Sequence, residues 1–149
     1  MNDEPLRSIP PIKRVMTPFP YSIDAGETLV AARKMMAAHG FRHLPVMSEG
    51  SLEGVISDRD IDRALDPATG LPGPKELRVG DVARQDAVVV DLSEPLDEVL
   101  ARMAEGHLGA VLAVKEGKLA GIFTVTDACR VFAGHLRGLF PDPRGTDAA

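Results

Sequence analysis

Two stretches of the chain, Gly54-Val-Ile-Ser-Asp-Arg-Asp60 and Gly121-Ile-Phe-Thr-Val-Thr-Asp127, follow one pattern: a glycine, two apolar residues, a hydroxyl residue, two variable positions and an aspartate. Setting Gly121 on Gly54 gives an offset of 67, which holds without a gap from Val15/Val82 to Leu65/Phe132. Twelve of those 51 pairs are identical, at Val15, Asp24, Glu27, Leu29, Met36, Ala37, Glu49, Gly50, Leu52, Gly54, Asp60 and Arg63. Other pairs keep their character, as Ile23/Val90, Val55/Ile122 and Ser57/Thr124 do. Self-similarity at one fixed offset marks a duplication.

Each copy reads as β-α-β-β-α. Tyr21–Ile23 and Val88–Val90 are short runs of strand formers. A helix follows, and the spacing of Asp24 with Glu27, and of Asp91 with Glu94, predicts a capping box at its start. Leu29, Ala32 and Met36 then share one helical face, as do Leu96, Val99, Leu100 and Met103. Gly40 and Gly106 mark the expected helix ends. Strands around Leu44–Met47 and Leu52–Ile56, then Ala110–Val114 and Leu119–Thr124, are joined by Glu49-Gly50 and Glu116-Gly117 turns. A second helix starts near Asp58 or Val125. A small sheet with both helices on one face leaves its other face bare, and the second copy is the expected cover. The expected organisation is repeat one over 12–65, a Pro- and Gly-rich linker over 66–78, repeat two over 79–133, and a partly disordered tail over 134–149.

Composition narrows the function. Seventeen basic against twenty-two acidic residues leave a net charge of −5, which argues against general nucleic-acid binding. The apolar run Leu108–Val114 is far short of the roughly 20 residues a membrane span needs. The N-terminal residues lack an apolar signal-peptide core, and one cysteine, Cys129, cannot form an internal disulfide framework; both point to the cytoplasm. Cys129 falls on an expected helix and reads as a core or half-buried thiol. His39, His43, His107 and His135 lack metal-site spacing, and no Gly-rich phosphate loop is present.

The repeated Gly-to-Asp segment, with Met16-Thr-Pro18 and Phe41-Arg-His-Leu-Pro-Val46, resembles the CBS domain, and the tandem resembles a paired CBS (Bateman) module over about residues 12–133. The resemblance implies two units packed about a pseudo-twofold axis and a non-catalytic sensor of adenosine-containing ligands. It implies that Asp60 and Asp127 hold ribose hydroxyls, with Ser57 and Thr124 beside ribose and phosphate. It adds Thr17 to the ligand-binding set, and lets Arg42 and His43 reach the phosphates of a nucleotide held by the other repeat. Copy two has Gly109 and Ala110 at the latter positions. The site of Thr124 and Asp127 is therefore expected to bind more tightly than that of Ser57 and Asp60, although Arg59 could offset the difference.

Elementary chemistry supports the same place. A helix N-terminus offers unpaired N–H groups and a partial positive charge, and one carboxylate can accept from two hydroxyls. Spacing alone reads Ser57/Asp60 and Thr124/Asp127 as helix caps, a role compatible with ligand contact. The expected ligand is AMP, ATP or S-adenosylmethionine, with no catalytic cofactor. The expected partners are a second copy of the chain, packed through the helical faces, and an unidentified effector protein, with neither nucleic acid nor membrane. The alternative is a structural dimerisation module with vestigial or empty clefts.

Overall fold

The computed structural model describes residues 7–70 and 77–139. In chain order these form β1 (Thr17–Pro18), β2 (Ile23–Asp24), α1 (Leu29–His39), β3 (His43–Ser48), β4 (Ser51–Ser57), α2 (Asp58–Ala64), α3 (Val79–Val82), β5 (Val89–Asp91), α4 (Leu96–Gly106), β6 (Ala110–Lys115), β7 (Lys118–Thr124) and α5 (Val125–Leu139). The class is α+β with two β-α-β-β-α units, as the repeat predicts. In copy one β2 runs parallel to β3 and β3 antiparallel to β4; β5, β6 and β7 repeat that order in copy two. Even the irregularities are duplicated, since the register shifts between Val46 and Met47 and again between Ala113 and Val114. The hairpins close through Gly50 and Gly117 at φ 81° and 79°, backbone that glycine adopts at no steric cost.

The helix starts differ from the sequence expectation. Asp24 does not cap α1: its carboxylate accepts from Gly26 N two residues on, and Asp91 takes Ser93 N in the same way. A carboxylate that satisfies the amide two residues ahead makes a local turn and is no longer available to cap. Thr28 is the cap of α1, accepting from Ala31 N at 3.0 Å, while Pro95 precedes α4. At the helix ends the left-handed residue is Gly40 in copy one but His107, its offset partner, in copy two; Gly106 is still helical. Leu29, Ala32, Met36, Leu96, Val99 and Met103 are buried as expected. Cys129 is exposed, contrary to its reading as a core or half-buried thiol, and Leu100, read on one face with Leu96, Val99 and Met103, is exposed while those three are buried. Residues 134–139, expected as tail, continue α5; the rest of the expected tail, 140–149, and linker residues 71–76 lie outside the described residues.

What joins the copies is an exchange of their leading segments. Val79 N donates to Glu27 O at 2.8 Å, and Ile12 N donates to Glu94 O at 2.8 Å. Applying the offset and swapping copies turns the first contact into the second. The same operation relates the bridges Thr28–Arg78 and Pro95–Pro11, and Val55–Arg84 and Ile122–Thr17. Reciprocal contacts of this kind define a twofold relation. Ile12 completes the core of copy two with Val90, Val99, Met103 and Phe123, while Leu77 and Val79 complete that of copy one with Ile23, Leu29, Leu44 and Ile56. Between the sheets a third cluster, Val55, Leu112 and Ile122, covers the faces the helices leave bare.

Gly54 and Gly121 are where each leading segment crosses the other copy. A Cβ at Gly54 would stand 2.3 Å from the Arg84 carbonyl oxygen; one at Gly121 would stand 2.3 Å from Met16 Sδ. A backbone carbonyl in a paired segment cannot yield, whereas a thioether can rotate away. Urea unfolding should therefore show Gly54→Ala destabilising by about 1–3 kcal/mol, and Gly121→Ala by clearly less. A larger loss at Gly121 would contradict this account of the crossing.

Candidate functional site

The hydroxyl–aspartate pairs sit where a buried strand becomes a helix. In copy one Ser57 N donates to Asp60 Oδ2 at 2.9 Å and Asp60 N to Ser57 Oγ at 3.1 Å. In copy two Thr124 N donates to Asp127 Oδ2 at 2.9 Å, Thr124 Oγ1 to the same oxygen at 3.0 Å, and Asp127 N to Thr124 Oγ1 at 3.2 Å. Both are reciprocal caps, so the reading from spacing holds in both copies. The cap also fixes each carboxylate beside the N–H groups of the first helical turn, where negative charge is favoured. The second oxygens differ. Asp127 Oδ1 pairs with Arg130 Nη1 at 3.3 Å, and at 8 % exposure Asp127 is the buried charge of the site.

Thr17 belongs to this second site by backbone pairing: β1 lies antiparallel on β7, with Thr17 opposite Ile122 two residues before Thr124. The equivalent neighbour of Ser57 is Arg84, bridged to Val55. Sequence reasoning singled out Thr17 but passed over Arg84, although the offset of 67 maps one onto the other. It likewise passed over Arg130, whose offset partner is the identical Arg63.

His43 stands between the two helix starts. It is the register partner of Ser57, and Asp58 and Asp60 act on its charge from α2. On its other side Nε2 lies 2.8 Å from where a Gly109 Cβ would be, and Gly109 O accepts from Val125 N at the first residue of α5. Gly109 thus makes room for the imidazole of the opposite copy. Arg42 is exposed; its carbonyl accepts from Asp58 N, and it lines a groove of about 400 Å³ between α1 and α2 with Arg33, Phe41 and Asp58. Arg59 is exposed on the first turn of α2, its N–H donating to Asp58 Oδ1. The structure therefore gathers His43, Arg59, Asp58 and Asp60 at one helix start, and Thr17, Thr124, Asp127 and Arg130 at the other. Among the described residues no three His, Cys, Asp or Glu side chains converge as a metal site, and no helix is long and apolar enough to cross a membrane.

Fold and junctions together define a paired α+β module with two related strand-to-helix sites. The chain belongs to the CBS domain family, whose profile matches residues 12–67 and 79–134. It is 34 % identical over 111 residues to hypoxic response protein 1 of Mycobacterium tuberculosis, covering 73 % of this chain and 76 % of that protein. It is 25 % identical over 135 residues to L-aspartate semialdehyde sulfurtransferase of Methanocaldococcus jannaschii; the match covers 89 % of this chain but spans only 25 % of that enzyme. Its fold matches, with a TM-score of 0.76, the crystal structure of the CBS domain pair of protein MJ0100 in complex with 5′-methylthioadenosine and S-adenosyl-L-methionine, at 26 % identity over 85 % of this chain and 98 % of the other.

The environment of His43 gives a pH signature. Burial holds it below the usual histidine range; Asp58 and Asp60 oppose that shift, and Arg42 and Arg59 reinforce it. As pH falls through the ordinary histidine value of about 6.5, the unfolded chain takes up a proton that the folded chain refuses until lower pH. The unfolded state then binds more protons, so stability rises with pH across that window and is lost below it. Urea unfolding from pH 5 to 7.5 should show this slope, and His43→Gln should flatten it. An unchanged slope in the variant would assign the proton to another group.

Proposed function

We propose that this chain is a non-catalytic regulatory module that binds an adenosine-containing ligand at the junctions between its two repeats. The observation that carries the reading is the duplicated strand-to-helix junction: a hydroxyl and a carboxylate held at a helix N-terminus, with the leading segment of the opposite repeat alongside. The carboxylate suits a ribose diol and the helix start suits a phosphate. The MJ0100 pair, whose complex holds two adenosine derivatives, supports the ligand class. In this reading Thr124, Asp127 and Thr17, with His43 reaching toward them from the other repeat, make the tighter site, and Ser57, Asp60 and Arg59 the weaker; Arg42, expected at the tighter site, lines the groove between α1 and α2 instead. His43 reaching Gly109 at the foot of α5 supports that ranking.

A ligand at this place acts by preferring one relative packing of the repeats, and an effector protein reads the change. Exposed apolar residues on the helices support a homodimer. One observation favours the alternative of a dimerisation module with vestigial clefts: both carboxylate oxygens of Asp127 already have partners, Thr124 and Arg130.

Calorimetric titration of the full chain with AMP, ATP and S-adenosylmethionine tests both readings, and an absence of binding by all three supports the alternative. With a ligand that binds, Asp127→Ala should weaken the tighter site about tenfold or more, the loss of one or two charge-assisted contacts. Asp127→Asn, which keeps a cap acceptor, separates ligand loss from helix fraying. If Asp60→Ala removes the tight site while Asp127→Ala spares it, the ranking is reversed.

A further inference from the structure

The two junctions share one residue that the candidate site has not used. Ser57, Asp60 and Arg63 in copy one, and Thr124, Asp127 and Arg130 in copy two, follow one another at spacings of three. Helical side chains lean toward the N-terminus, so an arginine three residues after an aspartate reaches back over it. Copy two makes that contact, with Arg130 Nη1 donating to Asp127 Oδ1 at 3.3 Å. In copy one, among the described residues, Asp60 is hydrogen-bonded to Ser57 and not to Arg63.

The two oxygens of Asp127 are held differently. Oδ2 accepts from Thr124 N at 2.9 Å and from Thr124 Oγ1 at 3.0 Å, both within the cap. Oδ1 is the oxygen left for a ribose, and Arg130 stands on it. The pair is also uneven, since 56 % of the arginine side chain is exposed against 12 % of the aspartate's. The guanidinium can therefore swing into water on its long stem, whereas the capped carboxylate stays in place.

We propose that Arg130 selects the charge of the ligand at this junction, favouring an adenosine that carries a 5′ phosphate over a neutral one. The inference rests on the reading of the junction as an adenosine site and deepens it by naming the ligand class. A ribose diol that takes Oδ1 displaces the guanidinium. A neutral nucleoside offers Arg130 nothing in exchange, so the arginine opposes it. A nucleotide brings a phosphate to the helix start, toward which Arg130 already leans, and the guanidinium fork matches two phosphate oxygens. The surroundings favour the same charge. Asp127 is the one acidic residue in the first turn of α5, with Val125 at the offset position of Asp58, whereas α2 opens with both Asp58 and Asp60. His43 approaches the foot of α5 from the other repeat. An anion therefore meets less like charge here than at α2.

Calorimetric titration of the full chain with AMP and with adenosine, in the wild type, Arg130→Gln and Arg130→Lys, measures the selection. Thermal melts of the three chains show whether the exposed substitution leaves the fold intact, and Arg63→Gln is the control at the equivalent place in copy one. The wild type should bind AMP at least about tenfold tighter than adenosine, and Arg130→Gln should narrow that ratio about tenfold, the size of one charge-assisted contact. Arg130→Gln should hold adenosine as tightly as the wild type or more so. Arg130→Lys should keep part of the ratio, and Arg63→Gln all of it. A wild type that binds both ligands equally overturns the inference without any variant. So does an Arg130→Gln chain that keeps the wild-type ratio, which makes the arginine a brace for Asp127. An Arg130→Gln chain that gains affinity for both ligands by one factor overturns it too, since the arginine then only blocks. Each of those outcomes leaves the adenosine site standing, whereas a wild type and variants that bind neither ligand overturn the site and the inference together.

Discussion

Each repeat holds the other's missing piece. The pair of 2.8 Å hydrogen bonds from Val79 N to Glu27 O and from Ile12 N to Glu94 O anchors two leading segments on the wrong side of the duplication. The fully buried Ile12 and Val79 are then spent on the opposite core. This crossing brings β1 to β7 and Arg84 to β4, and so decides which side chains stand beside each helix start. It also explains why a glycine stands at both Gly54 and Gly121: each lies under the leading segment of the other copy, where a Cβ would meet the Arg84 carbonyl in one case and the Met16 thioether in the other. Two small units sharing exchanged segments bury apolar surface that neither could cover alone.

At the helix starts one set of atoms can serve two tasks. Asp60 and Asp127 each spend an oxygen on the N-cap, which locks the side-chain rotamer and keeps the charge at the positive end of the helix. A carboxylate fixed in this way needs no reordering to meet another donor. The copies have diverged in what surrounds that charge. Copy two has buried Asp127 and given it Arg130, whereas copy one has gathered Asp58, Arg59 and His43 around Asp60. Gly109 belongs to the same divergence, since its missing side chain is the space that His43 occupies.

Much of this was legible in the sequence because duplication doubles the signal. The offset fixed by Gly54 and Gly121 located strands, hairpin turns and both capped junctions, and the alternation of Leu29, Ala32 and Met36 found the buried helical face. The helix starts were misread because Asp24 and Asp91 satisfy two local rules at once, and the turn to Gly26 or Ser93 is closer in the chain than a cap. Leu100 and Cys129 were misread for another reason: helical periodicity shows that residues share a face but not what lies against it. The crossing itself left no trace in local pattern, since Ile12 and Val79 look like ordinary apolar residues until the opposite core is built. Arg84 was hidden in the same way, as its place beside Val55 depends on a contact between copies.

The crossing also has a direction when the chain is made on the ribosome, residue by residue from the N-terminus. Copy one receives its foreign piece promptly: Leu77 and Val79 follow α2 and dock on elements already synthesised. Ile12 has the opposite history. It emerges before every residue it packs on and stays without its core until Val90, Val99, Met103 and Phe123 have all been added. Closing that long loop is the slow, late step of a topology rich in distant contacts. Until the second repeat has been made, the segment that carries Ile12 has no core to dock on, while the first repeat already has all the residues of its own.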